Sequence, residues 1–506
     1  MPQEKEIVYC SAGHSYNNNN YKNYIDVSSG ICELCIKNHF IHEFETWSSG
    51  NVEIDKVIRE SQISYQKYYN YRLQWIPYDN FQNIKYIADG GYGSVYSAKL
   101  INGIKKYWNF NKQDWKWDFK DYKVALKEIK DSRHDISKFL KEIRNIQIVK
   151  NQYFIISCFG ISRNPSSQNY IIVMELHDDN LHKFVTKSFL NLDWKSKINL
   201  LYNIAIGLDY LHIKNLVHRD LHSGNILVKR YSYNASISDL GLCSLENDLI
   251  LKSNNNNVYG SIPYIPPEVL RGNIFTKNGD IYSFGIIMYE IATGKQPFSD
   301  RAHDTHLIID ICNGVRPKIP DIMLNWIPEW YLDLMYRCWS GDPSNRPTAN
   351  ELFYAFYELV ILRNDIFESE EFYIDNDILR QFIIADENRF EFQRQKSFLS
   401  SSMSHPQSCY ISRNIHTLYG LHNSLEDIKS GKSQDPNLLR YNESTASNTY
   451  DIDSKESQEC IDWENEIQIM QKKRSFSTLY CDSQEFKEYI NLDKDNIILK
   501  KLKKGS

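Results

Sequence analysis

Apolar and polar positions change their spacing along the 506-residue chain, and the change divides it into three regions. Between residues 79 and 364, short apolar runs typical of buried strands alternate with stretches whose apolar residues recur every three or four positions, as they do on one face of a helix. The apolar content is concentrated here. We therefore predict that this region forms the main folded domain and contains both strands and helices.

The two flanks have different patterns. Residues 1–78 form an N-terminal extension with a predicted helix from Glu53 to about Tyr69. Residues 365–506 contain one helical stretch, Asp377 to about Arg394, followed by polar Ser- and Asn-rich tracts that end in several lysines. Because such tracts bury too little apolar surface to offset their ordering entropy, we predict that most of this tail is disordered. The lysines at its end are interpreted as a solvated basic terminus.

Composition narrows the class of protein. The chain is 42% hydrophobic and 24% charged, as in a soluble globular protein, and its net charge of −5 gives no reason to expect nucleic acid as a partner. We find neither a signal peptide nor an apolar run long enough to span a membrane. The ten cysteines are widely scattered. We expect them to be reduced thiols, and the protein to be cytoplasmic.

A glycine-rich turn is the first sign of phosphate chemistry. The stretch from Ala88 to Val95 reads Ala-Asp-Gly-Gly-Tyr-Gly-Ser-Val between two strand-like runs. Glycines allow backbone amides to approach phosphate oxygens, because no Cβ stands in the way. An ordinary hairpin turn has the same pattern, so this motif alone does not establish a phosphate site.

A lysine and a glutamate strengthen the case. Lys127 ends the apolar strand Val124-Ala-Leu-Lys, where a cation needs an anionic partner such as a phosphate or a carboxylate. The apolar spacing predicts a helix from Asp135 to about Lys150. Glu142 lies on this helix and is the natural partner of Lys127.

The stretch from Leu216 to Val228 contains several closely spaced polar and chargeable side chains. Its sequence is Leu-Val-His-Arg-Asp-Leu-His-Ser-Gly-Asn-Ile-Leu-Val. Polar residues between two apolar runs cost stability unless the site has a function. Asp239 follows in a second apolar run that ends in a carboxylate and a glycine. Together with Asp220 and Asn225, it supplies a base and oxygen ligands for a hard cation such as Mg²⁺.

These motifs, in this order, resemble those of the eukaryotic protein kinases from about Phe81 to Arg363. The resemblance implies an α+β, two-lobed fold with a small β-rich N-lobe and a larger helical C-lobe. It also implies ATP and Mg²⁺ as cofactors and a protein as substrate. A cysteine–tryptophan pair, Cys338-Trp339, is typical of the tyrosine-kinase and tyrosine-kinase-like groups.

The resemblance assigns roles around ATP. Gly90, Gly91 and Gly93 would cover the phosphates, with Ala88 in place of the first family glycine. Lys127 would hold the α- and β-phosphates and be oriented by Glu142. The adenine would lie among apolar residues and a hinge, namely Val95, Ala125, Leu227, the gatekeeper Met174, and Glu175 to His177.

It assigns roles in phosphoryl transfer as well. Asp220 would accept the proton of the substrate hydroxyl, with Arg219 beside it, and Asn225 and Asp239 would bind Mg²⁺. Further along, Asp280 would hold in place the loop that contains Asp220, here called the catalytic loop. Arg346 would pair with Glu268.

The acceptor specificity rests on two residues. Ser261 stands where serine/threonine kinases place a hydroxyl that contacts the catalytic loop, so we favour serine or threonine over tyrosine. His222 replaces the lysine usual in serine/threonine kinases, which weakens this assignment. The alternative function is a pseudokinase scaffold that binds nucleotide or partners without phosphoryl transfer.

Regulation follows from the same motifs. Arg219 is a cation suited to a phosphate on the activation segment, so we predict phosphorylation at Ser253, Tyr259 or another site between Cys243 and Ser261. An upstream kinase or a second copy of the chain would supply that phosphate.

Two features lie outside the kinase motifs. Cys10, His14, Cys32 and Cys35 have spacings that fit a small zinc module, with His39 as an alternate ligand, although unligated thiols explain the pattern equally well. The segment from Leu100 to Tyr122 is predicted to be an extended hairpin whose tryptophans pack on the small lobe.

Overall fold

The computed structural model describes residues 9–15, 24–64, 72–90, 93–149, 154–230, 233–250, 255–364, 377–394 and 404–438. All of them belong to one compact unit, Met1–Leu439. Within these ranges, no helix combines the length and the apolar content that crossing a bilayer requires.

The N-terminal extension is a small module of short strands and two helices. Asn51 caps the second helix, because its side-chain oxygen accepts hydrogen bonds from the amides of Glu53 and Ile54. This helix ends at Ile63, earlier than predicted, and residues 65–71 lie outside the described ranges. The elements are β1 (Ile25–Asp26), β2 (Ile31–Cys32), α1 (Glu33–His42), α2 (Val52–Ile63) and β3 (Gln74–Trp75).

The N-lobe is built on a six-stranded sheet. Its strand order is β3, β9, β10, β8, β5, β4, so one strand of the N-terminal extension joins the sheet, parallel to β9. Side chains such as Leu100, Val124 and Val173 form its apolar core. The elements that follow β3 are β4 (Phe81–Gly90), β5 (Gly93–Leu100), β6 (Ile104–Asn109), β7 (Asp114–Asp118), β8 (Tyr122–Ile129), α3 (Ser137–Ile148), β9 (Cys158–Arg163) and β10 (Tyr170–Glu175).

The hairpin between Leu100 and Tyr122 forms as predicted, but its aromatic face has a different partner. β6 and β7 pair with each other, and β6 also pairs with β2 of the N-terminal extension. Trp108 stacks on His39, with ring centroids 3.5 Å apart. Trp115 packs against Phe40, with centroids 4.6 Å apart. The tryptophans therefore pack on the N-terminal module, and the predicted packing on the small lobe was wrong.

The C-lobe is mainly helical. Its two central helices, α5 (Trp194–Ile213) and α8 (Lys277–Thr293), are apolar on most of their surface and are therefore buried. The long helix α5 packs against α11 and against strand β14. The elements are β11 (Asp179–Asn180), α4 (Leu181–Ser188), α5 (Trp194–Ile213), β12 (Leu216–Val217), β13 (Ile226–Lys229), β14 (Asn234–Ile237), β15 (Ser244–Leu245), α6 (Glu246–Ile250), β16 (Asn257–Gly260), α7 (Pro267–Leu270), α8 (Lys277–Thr293), α9 (Thr305–Cys312), α10 (Glu329–Cys338) and α11 (Ala349–Asn364).

Two parts of the C-terminal tail have defined structure. Helix α12 (Asp377–Arg394) forms as predicted and packs its Phe382 ring 5.6 Å from that of Trp194. Residues 404–438 also fold onto the C-lobe, with strand β17 (Arg413–His416) and helix α13 (Leu425–Lys429). The polar composition did not predict this second piece. The remainder of the predicted disorder, and the lysines at the end of the chain, lie outside the described residues.

Candidate active site

Lys127 is the centre of the predicted phosphate site. It lies on β8 opposite Val95 of β5, and its ammonium donates to Glu142 on α3 at 2.7 Å and to Asp239 at 2.8 Å. Burial lowers the pKa of Lys127, but the charges of Asp239 and Glu142 outweigh burial and raise this pKa well above its ordinary value. The lysine is therefore a permanent cation between two carboxylates, of which the sequence pattern predicted Glu142 as a partner but not Asp239.

The glycine-rich turn connects β4 and β5. Gly90 pairs with Gly93 across the turn, and Gly91 lies outside the described residues. A Cβ at Gly93 would stand 2.0 Å from the backbone oxygen of Glu128, so this glycine is required for the approach of β5 to β8. Its role over the phosphates stays a prediction.

The residues assigned to adenine lie on strands of two different sheets and on the segment that follows β10. Met174 is the register partner of Ala125 across β10 and β8, and Leu227 lies on β13. Glu175 ends β10 and pairs with Lys229 at 2.6 Å. His177 follows, and its Nδ1 atom is buried without a hydrogen-bond partner among the described residues. Met174 and Ala125 are therefore adjacent, and the role of the whole set around adenine stays a prediction.

Asp280 holds the catalytic loop in place. Its carboxylate accepts hydrogen bonds from the backbone amides of His218, at 2.8 Å, and Arg219, at 2.9 Å. Six residues after Arg219, the side chain of Asn225 donates to the backbone oxygen of Asp220 at 2.9 Å. These contacts fix the backbone of the loop before Asp220 and at Asp220 itself.

The environment of Asp220 suits a general base. Burial raises its pKa to about 7, and the charge of Asp239 acts in the same direction. Burial also lowers the pKa of the neighbouring His222 to about 4, so this imidazole is neutral at pH 7. The residue that replaces the family lysine therefore brings no positive charge at neutral pH.

The activation segment contacts the loop, although not through every residue that was predicted. Arg219 donates to the backbone oxygen of Leu242 and to the hydroxyl of Ser244, both at 3.3 Å. Ser261 is buried, but its hydroxyl makes no hydrogen bond within the described residues, so the expected contact with the catalytic loop is not made. Tyr259 lies on β16, and Ser253 falls outside the described ranges.

Ser412 is a residue of this site that sequence reasoning missed. Its hydroxyl donates to Oδ1 of Asp220 at 2.7 Å and lies 3.3 Å from Nε2 of His222. It belongs to the C-terminal tail, 192 positions after Asp220. The one available sign was the short apolar run around it, with Tyr410, Ile411 and Ile415 in an otherwise polar stretch.

A second cluster lies in the N-terminal module, apart from the cleft residues. The Nδ1 atom of His14 is 3.4 Å from the sulfur of Cys10, 3.5 Å from that of Cys32 and 3.4 Å from that of Cys35. All four ligand atoms lie within 4.8 Å of one another. The alternate ligand His39 is not part of this group, since its ring stacks on Trp108.

The distances in this cluster fit a tetrahedral metal. Zinc bonds of about 2.3 Å to sulfur and about 2.0 Å to nitrogen imply edges of roughly 3.5–3.8 Å between ligands. The sulfurs of Cys10 and Cys35 are 3.6 Å apart, too far for a disulfide. Within the described residues, none of the three cysteines of the cluster forms a disulfide.

Comparisons with known proteins show the family of this chain. Residues 81–356 match the family model of protein tyrosine and serine/threonine kinases. A viral protein, "Putative serine/threonine-protein kinase/receptor R831" of Acanthamoeba polyphaga mimivirus, is 30% identical over 283 residues, which are 55% of this chain and 16% of that protein. The human receptor-interacting serine/threonine-protein kinase 4 is 29% identical over 277 residues, which are 52% of this chain and 30% of that protein.

The two-lobed fold and the site define the class as a protein kinase. The chain belongs to the protein tyrosine and serine/threonine kinase family, and its relatives are serine/threonine kinases like those of the tyrosine-kinase-like group. The chain spans less than a third of the length of the two relatives described above.

Proposed function

We propose that this chain is an ATP- and Mg²⁺-dependent protein kinase that phosphorylates serine or threonine hydroxyls of protein substrates. The observation that carries the proposal is the double ion pair of Lys127 with Glu142 and Asp239, at 2.7 and 2.8 Å. A kinase cleft needs this lysine and these carboxylates in one place, since catalysis of phosphoryl transfer is mainly positioning and charge stabilisation.

Each residue then has a defined task. Asn225 and Asp239 would hold Mg²⁺, whose charge offsets that of the triphosphate oxygens when the nucleotide is bound. Lys127 would exchange its contact with Asp239 for phosphate oxygens and keep Glu142. Asp220 would orient the acceptor hydroxyl and take its proton, which its pKa of about 7 permits near neutral pH.

Serine or threonine is favoured as acceptor on two grounds. The relatives' names describe serine/threonine kinases. In addition, the hydroxyl next to Asp220 is that of a serine, Ser412, at 2.7 Å. The reactive hydroxyl of a tyrosine would extend several ångströms further from its backbone than that of a serine.

The competing function is a pseudokinase scaffold. We test it with purified full-length protein, Mg-ATP and an array of serine, threonine and tyrosine peptides. Wild type should phosphorylate serine or threonine peptides, while Asp220→Asn and Lys127→Met should reduce the rate at least a hundredfold. Lys123→Met, an exposed lysine of the same strand, is the matched control and should keep the wild-type rate. Equal signals from wild type and Asp220→Asn would overturn the proposed activity.

We further propose that Cys10, His14, Cys32 and Cys35 bind one structural Zn²⁺. The support is the set of ligand distances, which match a tetrahedral site. Elemental analysis of the full chain should find about one zinc per molecule, and Cys32→Ser should remove most of it. Cys158→Ser, a free thiol on β9, should not. A metal-free wild type purified with zinc in the buffers would contradict the site.

We place this activity in the cytoplasm. None of the eight cysteines among the described residues forms a disulfide, as expected in a reducing compartment. An activating phosphate from an upstream kinase or a second copy of the chain remains part of the proposal, because Arg219 contacts the activation segment through Leu242 and Ser244.

A further inference from the structure

The tail segment that carries Ser412 is anchored to the C-lobe on its N-terminal side. The backbone amide of His405 donates to the oxygen of Ser299 at 2.8 Å. The amide of Cys409 donates to Nδ1 of His303 at 3.0 Å, and the imidazole of His303 is fully buried. The hydroxyl of Tyr410 donates to the oxygen of Pro297 at 3.1 Å. The chain therefore enters the cleft along a fixed path.

On its C-terminal side the tail segment forms a strand, β17, that pairs with strand β16 of the activation segment. β17 runs antiparallel to β16, with Val258 opposite Ile415 and Gly260 opposite Arg413. Ile415 is fully buried. An added strand that gains backbone hydrogen bonds and an apolar anchor is a common mode of peptide recognition.

Polar contacts beyond β17 hold the strand in register. The side chain of Asn437, fully buried, donates to the backbone oxygen of His416 at 3.0 Å and accepts from the amide of His416 at 2.8 Å. The amide of Leu418 donates to the oxygen of Leu270 at 2.8 Å. A shift of one residue would break these bonds and expose Ile415, so the register is strongly specified.

This register places the hydroxyl of Ser412 next to Asp220, the proposed general base. Ser412 immediately precedes β17, and its Oγ donates to Asp220 at 2.7 Å. The neighbours Ile411 and Arg413 carry no hydroxyl, and the Arg413 guanidinium donates to the backbone oxygen of His303 at 2.9 Å. The geometry therefore selects one acceptor, in the distance range that a general base requires.

We propose that Ser412 is phosphorylated in cis, with residues 404–438 acting as the protein's own substrate segment. This inference rests on the proposed kinase function and names its first substrate. In the reaction, a bond forms between Ser412 Oγ and the γ-phosphorus of ATP, the bond from that phosphorus to the β–γ bridging oxygen breaks, and ADP leaves. The hydroxyl proton passes to Asp220 Oδ1.

The modification also changes access to the cleft. Before it, the segment occupies the acceptor position and excludes other substrates. Afterwards, a phosphate with a charge of about −2 stands beside Asp220 and near Asp239, where repulsion and desolvation disfavour it. Phosphorylation of Ser412 should therefore release the segment and admit protein substrates.

The experiment follows phosphate on the full-length chain. Dephosphorylated protein is mixed with Mg-ATP, and phosphopeptides are quantified by mass spectrometry over time at protein concentrations spanning a hundredfold. Phosphate should appear at Ser412 with a first-order rate constant that does not change with protein concentration, because the acceptor belongs to the same molecule. A rate constant that rises in proportion to protein concentration would overturn the cis assignment.

Variants distinguish the role of the acceptor serine from the role of the strand that positions it. Ser412→Ala should lower early phosphate incorporation at least tenfold, whereas Ser433→Ala, an exposed serine of the same segment, should not change it. Ile415→Asp removes the buried anchor of β17 and should slow Ser412 phosphorylation at least tenfold while it speeds phosphorylation of an added serine peptide severalfold. Ser412 phosphorylation at the wild-type rate in this variant would refute the role of the strand.

Different results would contradict the proposed kinase function and the proposed phosphorylation of Ser412. If Ser412→Ala phosphorylates added peptides but wild type never carries phosphate at Ser412, the inference is wrong and the kinase function stands. If no form of the chain transfers phosphate to any acceptor, both are wrong.

Discussion

Arg346 and Glu268, 78 positions apart in the chain, form a two-armed ion pair in the C-lobe, with nitrogen–oxygen distances of 2.7 and 2.8 Å. The Arg346 side chain is 0% exposed, and it also donates to the backbone oxygens of Ser340 and Asn278. Glu268 lies on α7 and Asn278 on α8, whereas Ser340 lies just after the end of α10. The pair therefore joins α7 to the segment between α10 and α11.

Arg346→Met should lower the free energy of unfolding by about 3–5 kcal/mol, because it leaves the Glu268 carboxylate without its buried partner. Chemical denaturation followed by circular dichroism measures this change. Arg337→Met, an exposed arginine near the end of α10, is the control and should shift stability by less than about 0.5 kcal/mol. A loss no larger than that of the control would show that the ion pair does not stabilise the lobe.

Lys197 is a buried cation in an apolar setting. Its ammonium lies 4.8 Å from the ring centroid of Phe189 and 4.6 Å from that of Trp194. Burial, together with the nearby charge of Arg389, lowers the pKa of Lys197 to about 7, although the charges of Asp386 and Asp193 act in the opposite direction. In the unfolded chain the pKa returns to about 10.4, so between these values the unfolded state binds a proton that the folded state does not.

Lys197→Met should therefore stabilise the protein, by about 2–4 kcal/mol at pH 7. This advantage should shrink as the pH rises from 7 to 10, because deprotonation of Lys197 in the unfolded state removes the cost of burying it. Unfolding midpoints of wild type, Lys197→Met and the exposed control Lys195→Met, compared across that range, measure the difference. A pH-independent difference between wild type and Lys197→Met would refute the depressed pKa.

The rate of phosphoryl transfer should depend on the ionisation of Asp220. The residue accepts a proton only as a carboxylate, and burial sets its pKa at about 7. The groups that bear on it are Asp239, which raises this pKa, and Ser412, His218 and Asn225, which lower it. Transfer should thus slow as the pH falls through 7, by about tenfold per unit well below it.

Single-turnover rates at saturating Mg-ATP between pH 5.5 and 8.5 test this dependence. Nucleotide binding is also measured at each pH. This measurement separates the effect of Asp220 ionisation on the rate from the effect of ATP ionisation on binding. A rate that is flat across this range, with nucleotide bound throughout, would mean that Asp220 is not the group that titrates.

The sequence predicted the cleft better than it predicted the flanks, for a physical reason. Lys127 lies on a strand and Glu142 on a helix whose apolar periodicity is visible in the sequence. Asp220 and Asp239 each follow a short apolar strand by a few residues, so local patterns place them as well. Ser412 depends on the pairing of β17 with β16 across more than 150 positions, and four residues of strand carry little periodic information. The partner of Trp108 was missed for the same reason, since nothing local to the hairpin specifies that it packs on His39.

Zinc removal should loosen the hairpin of β6 and β7. The Cys and His cluster shares an apolar core with Phe110 at the end of this hairpin, and Trp108 and Trp115 pack on the helix that follows Cys32. Without a metal, four ligand atoms within 4.8 Å would have only weak contacts to hold them together. A zinc chelator, with no nucleotide present, should therefore red-shift tryptophan fluorescence and increase proteolysis near residue 110.

The hairpin itself provides the control. Trp115→Phe keeps an aromatic ring against Phe40 but removes the indole that donates to Glu43 at 3.0 Å, so part of the fluorescence change should disappear with it. Added Zn²⁺ should restore the wild-type spectrum, while Mg²⁺, a hard cation that avoids thiolates, should not. If the chelator changes neither fluorescence nor proteolysis in a protein shown to contain zinc, the metal does not support the hairpin, and the packing of His39 on Trp108 suffices alone.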